Sequence, residues 1–88
     1  MTRPGYKRPF FKIKDVTAGE ELIVKENFGI LCLEDFWLMN EGVDALEVII
    51  NDSDEVLIIG IDEVFKMQSD VYSCKVLNEG TVKYGGLY

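Results

Sequence analysis

Between Phe10 and Tyr84, apolar runs are interrupted roughly every eight to twelve residues by Gly, Asn, Asp or Glu, a spacing that suits short strands joined by polar turns. The expected fold is all-β: a small antiparallel β-sandwich, jelly-roll or Greek-key like, of about eight strands. Helix caps, heptads and repeats of supersecondary length are absent. An 88-residue chain is one domain that buries only about 60–65% of its unfolded surface. Because 48% of the residues are hydrophobic, including five Phe, four Tyr and one Trp, some apolar surface is expected to meet another subunit.

The strands can be placed one by one. Residues 9–14 fit an edge or half-exposed strand, with Pro9 at its start where a missing amide donor is harmless. Residues 21–25 and 29–34 form a hairpin through Asn27 and Gly29. Residues 36–39 and 46–51 continue the series, although residues 43–50 also suit a helical turn or two. The centre of residues 55–61 is uniformly apolar, as expected of a core strand buried on both faces. Residues 64–68, 71–77 and 81–84 complete the series, and residues 84–88 are expected to be a flexible apolar tip.

Chemistry-bearing motifs are scarce. There is no histidine, nucleophile motif, phosphate loop or metal-spaced cluster, so no catalytic residue and no cofactor are assigned. Of the sixteen carboxylates, Asp15, Glu20, Glu26, Glu41, Asp44, Asp52, Asp54 and Glu79 fall at turns, where solvation accounts for them. Asp52, Asp54 and Glu55 are a calcium candidate, but the segment lacks the twelve-residue loop of an EF-hand and reads equally as a polar hairpin turn. Cys32 and Cys74 admit a disulfide, two buried thiols or half of a shared metal site. Buried thiols suit apolar strands best, and a zinc site within one subunit lacks ligands.

Charge is unevenly distributed. Arg3, Lys7, Arg8, Lys12 and Lys14 stand in the first fourteen positions, while from Asp15 onward four lysines face sixteen acids, a net charge of −12. Such a body repels nucleic acid, and no run approaches the roughly 20 apolar residues of a membrane span. Residues 1–9, with Pro4, Gly5 and Pro9, read as an extended basic arm preceding a domain of residues 10–88. The arm can lie on a neighbour's acidic body, touch nucleic acid or remain a solvated tail. Lys12, Lys14 and Asp15 interrupt what would be the core of a secretory signal. The expected partner is a second copy: candidate contact residues are Arg3, Tyr6, Lys7 and Arg8 in the arm, Phe36, Trp37, Leu38 and Met39, and Leu87 and Tyr88.

The succession Phe10-Phe-Lys-Ile-Lys14, Val16-Thr-Ala-Gly19 with Glu21-Leu-Ile-Val24, Val56-Leu-Ile-Ile59 and Tyr72-Ser-Cys-Lys-Val-Leu-Asn-Glu-Gly80 resembles the small β-sandwich proteins of tailed-phage virions and tail tips. It is similar to the shoulder domain of phage receptor-binding proteins, though too short to carry stem, shoulder and head. The resemblance implies a non-enzymatic, oligomeric structural or adhesion module in a virion or host cytoplasm, and transfers no functional residue. Two other readings stand beside it: an acidic inhibitor of a nucleic-acid-binding or defence protein, and a sugar-binding module centred on Trp37.

Overall fold

The computed structural model describes residues 8–24 and 32–88. These contain seven strands and no helix: β1 (Pro9–Val16), β2 (Glu34–Asn40), β3 (Leu46–Ile50), β4 (Leu57–Ile59), β5 (Val64–Met67), β6 (Cys74–Val76) and β7 (Gly80–Leu87). They form two antiparallel sheets, one in the order β1-β7-β2-β5 and the other β4-β3-β6. The sandwich expected from the punctuation of the chain is the observed fold.

The strand pairs are nested. β1 runs against β7, with Pro9 opposite Leu87 and Val16 opposite Gly80. Inside that pair, residues 19–22 lie along β6 through Gly19 N–H to Val76 O, Val76 N–H to Glu20 O and Leu22 N–H to Cys74 O. Next come β2 on β5 and finally β3 on β4. The chain is thus one long antiparallel ribbon doubled back at residues 51–56, with successive pairs falling alternately into the two sheets. Pairing of β7 with β2 and β6 with β3 closes it. This is the order of a jelly roll, with residues 19–22 in place of an eighth strand.

At the apex, Ser53 N–H bonds to Ile50 O across Asn51 and Asp52, whose φ values of 50° and 56° suit the tight right-handed twist of a hairpin. Asn and Asp tolerate this left-handed region better than other non-glycine residues. The Asn51 side chain also donates to Asp70 O and accepts from Tyr72 N–H, fastening the apex to the segment before β6.

Alternation decides the core. Phe36, Leu38, Val82 and Tyr84 face inward from the four-stranded sheet, and Leu46, Val48, Ile59, Cys74 and Val76 meet them from the three-stranded one. Leu22, Ile23, Leu33 and Val71 close the ends. Burying each large side chain stabilises the fold by roughly 1.5–3 kcal/mol.

Several local expectations are corrected. The run over residues 55–61 is not a central strand: β4 is a sheet edge in which only Ile59 is buried, because the ribbon turns there and, among the described residues, no further strand covers it. In place of the first arm of the 21–25 hairpin, Glu21 makes a single bridge to Lys75 and residues 23 and 24 lie outside the sheet; the hairpin's turn lies outside the described residues. No helical turn forms over residues 43–50, where β3 runs instead. Residues 84–87 are not a flexible tip, since they complete β7 between β1 and β2. Arg8 and Pro9 belong to the domain and not to the arm: Pro9 opens β1, and the backbone of Arg8 exchanges two hydrogen bonds with Tyr88.

Candidate functional site

Residues opposite one another across an antiparallel ladder share a face, so the register of the four-stranded sheet fixes what its outer side presents. One row reads Phe11, Gly85, Trp37 and Lys66, and the next Ile13, Lys83, Met39 and Val64. Leu87, opposite Pro9, lies on the same side. Phe11 is 67% exposed, Ile13 57% and Val64 46%, whereas Trp37, Met39 and Leu87 are half-buried. Four strands therefore contribute to one apolar face that the fold does not use for its core.

Gly85 sets the relief of that face. A Cβ there would lie 2.9 Å from both Trp37 Cζ2 and Phe11 Cβ, so glycine lets the indole settle over the central strand. The Lys83 ammonium lies 5.9 Å from the Phe11 ring centroid, a cation–π arrangement. Beside Trp37 the ladder between β2 and β7 slips between Glu34 and Trp37, where Asp35 takes a φ of 50°. A β-bulge of this kind re-aims side chains. Asp35, Trp37, Lys66 and Gln68 line a recess of about 410 Å³ at this point.

A second apolar patch lies on the other side of the molecule, around β4. Val56 (46% exposed), Ile58 (66%) and Ile61 (53%) project there, interspersed with the exposed acids Asp54, Glu55, Asp62 and Glu63. Glu47 stands directly opposite Ile58 on β3. Alongside, a cleft of about 260 Å³ has walls of Ile50, Leu57, Phe65 and Met67 and a rim of Asn51, Ser53 and Glu55. That is smaller than the roughly 300–1,000 Å³ typical of small-molecule sites.

The contact residues expected from sequence divide accordingly. Trp37, Met39 and Leu87 stand on the apolar face. Phe36 and Leu38 do not: both have no exposed surface, because alternation turns them into the core. Tyr88 packs edge-on against Phe10, with ring centroids 6.5 Å apart, and Arg8 is exposed beside it. Arg3, Tyr6 and Lys7 lie outside the described residues. Phe11, Ile13 and Val64 were not among the expected contacts. The adjacent pair Phe10-Phe11 carries their signal, since a strand cannot turn two successive side chains inward.

The titratable groups that are buried or bonded have structural partners. Glu21 accepts from Cys74 N–H at 2.8 Å, Ile23 N–H at 3.0 Å and Ser73 Oγ–H at 2.5 Å, which ties residues 21–23 to β6. Burial, reinforced by the negative charge of Glu21, pushes the Cys74 thiol up to about 12, so it is neutral and a poor nucleophile at physiological pH. Cys32 and Cys74 are both free thiols, Cys74 buried and Cys32 half-buried. Asp52, Asp54 and Glu55, the calcium candidates, are exposed around the hairpin apex. No group of three His, Cys, Asp or Glu residues able to hold a metal ion occurs among the described residues. Among the described residues, the features that stand out are the two apolar surfaces. Comparison of the chain with protein-family models, curated proteins and solved structures finds no match.

Proposed function

We propose that this protein is a non-enzymatic assembly module that works through protein contacts, in the setting its sequence resemblance suggests, a bacteriophage virion or tail. The observation that carries this reading is the outer face of the four-stranded sheet, where Phe11, Ile13, Trp37, Met39, Val64 and Leu87 project from four strands away from the core. A contiguous apolar surface of this kind on a small domain marks a place of contact, and an indole at its centre is a common anchor.

The test is light-scattering mass after size exclusion at low salt and at about 1 M salt, where the Debye length falls to roughly 3 Å. An oligomer that survives high salt but dissociates with Phe11→Glu supports the reading; a monomer in every condition overturns it. A chain lacking residues 1–7, which leaves the β1 ladder intact, reports separately on the arm. A second reading, sugar binding, is favoured by the recess where Asp35, Lys66 and Gln68 surround Trp37. Saturable glycan binding lost in Trp37→Ala, with the chain monomeric throughout, would select it.

A further inference from the structure

The cleft beside β4 opens where the edge strands of the two sheets, β4 and β5, approach each other. Its walls, Ile50, Leu57, Phe65 and Met67, pack against the core on their inner side. At about 260 Å³ it suits one large side chain better than a whole small molecule. The charge around it has one sign: residues 51–63, which include part of its rim and the turns on either side of β4, carry Asp52, Asp54, Glu55, Asp62 and Glu63 and no lysine or arginine. All five acids are exposed. Lys66 alternates with Phe65 and Met67 and so stands on the opposite face of β5, beside Trp37, while Lys75 lies two strands away on β6.

Residues 1–8 have the opposite character: Arg3, Lys7 and Arg8 without an acid, and one aromatic ring, Tyr6. We infer that this segment of one copy docks on the β4 side of the next, with Tyr6 in the cleft and Arg3 and Lys7 against the surrounding acids. A tyrosine presents a broad ring and a hydroxyl, which matches apolar walls under a polar rim of Asn51, Ser53 and Glu55. The opposite charges draw the two surfaces together. The chain's own cleft is out of Tyr6's reach. The backbone of Arg8 is tied to Tyr88 beside the start of β1, and β5 lies three strands across the sheet, about 14 Å away. Two residues of chain carry Tyr6 only about 7 Å. Because β1 and β5 are opposite edges of one sheet, the contact joins unlike surfaces and repeats from copy to copy until a ring closes or a filament grows. It is separate from the broad apolar face, and each can hold without the other.

The test places a photoreactive benzophenone at the proposed anchor, Tyr6→p-benzoylphenylalanine, in the full chain, with isotopically light and heavy copies mixed before irradiation. Cross-links from residue 6 of one copy to Val56, Phe65 or Met67 of another are expected at low salt. They should fall severalfold at about 1 M salt, where the Debye length is roughly 3 Å. Cross-links confined to one copy, or to residues outside the cleft, overturn the inference. A charge exchange checks it independently, in a Phe11→Glu background that removes the broad-face contact. Arg3→Glu with Lys7→Glu in one variant, and Asp54→Lys with Glu55→Lys in another, should each weaken self-association about tenfold or more, since like charges across an interface oppose contact. Thermal melts verify folding. An equimolar mixture of the two should restore association, because each variant's arm then meets the other's rim with opposite sign. An oligomer that resists salt and dissociates with Phe11→Glu, yet ignores these reversals and gives no cross-link from residue 6 to the cleft, leaves the broad face as the contact surface and overturns the docking of the arm.

Discussion

Asn40, only 1% exposed, stands where the chain leaves β2 and crosses to the other sheet. Its amide donates to Asp44 O at 2.8 Å and Ile59 O at 3.0 Å, and its carbonyl accepts from Gly42 N–H at 2.9 Å. One side chain thus replaces water for three backbone groups at a corner. Asn40→Asp keeps the acceptor but turns both donor contacts into repulsions, so the variant should lose about 2–4 kcal/mol at pH 7. Part of that loss should be recovered in acid, as the new carboxyl takes up a proton. Equal destabilisation at pH 7 and pH 4 in denaturant titrations would contradict this account. Tyr84 performs a related task, its hydroxyl donating to Leu22 O at 3.0 Å and so holding residues 19–22 near β7. Burial, with smaller contributions from the negative charge of Glu20, from Cys74 where it ionises in alkali, and from Glu21, raises this phenol to about 12. A group raised in the folded state stabilises it fully below the unfolded value, here about 10, and that stability is lost as pH climbs toward 12. Tyr84→Phe should cost about 1–2 kcal/mol at pH 7 and flatten the decline of stability above pH 10. The same alkaline slope in both proteins would show that the phenol is not responsible.

Among the elements, β7 is the most constrained, lying between β1 and β2 and carrying two successive glycines into the sheet. Gly85→Ala must push back the backbone carbonyl of Phe10 in β1 as well as Phe11 and Trp37. Roughly 1–3 kcal/mol of destabilisation is expected from such overpacking, together with a changed Trp37 emission spectrum; an unaltered spectrum and melt would mean that the face is looser than described. Much of this organisation is legible in the chain. Alternation and turn residues mark β1, β2, β3, β5 and β7, and Trp37, Met39 and Leu87 stand out as contact candidates. What misleads is residues 55–61, where Val56, Ile58 and Ile61 make an apolar run that looks like a buried strand although they point outward. A surface kept apolar and a core strand give the same local composition, and only the topology separates them. Phe36 fails as a contact residue for the complementary reason, since its neighbours in sequence do not reveal which parity faces the core.

The whole molecule is governed by the nested ribbon. Apart from the β3–β4 hairpin, its strand pairs join segments distant in sequence: β1 meets β7 only after almost the entire chain has been laid down. Loop-closure entropy must be offset before such contacts form, so folding should take on the order of milliseconds to seconds. Stopped-flow fluorescence of Trp37, the single tryptophan, measures this directly; relaxation in microseconds would imply that pairing is far more local than the topology requires. The order of the ribbon also explains why the sequence does not disclose the sheet layout. Which strands become neighbours depends on how the doubled chain wraps, not on a motif in any one strand.

Cys74, sealed between the two layers of the sandwich in a chain whose other thiol, Cys32, is half-buried, makes the chain its own chemical stopwatch. A thiol reagent can reach it only during moments when the layers part. Its alkylation half-life in native buffer therefore counts those openings, and Cys32 in the same molecule provides the calibration.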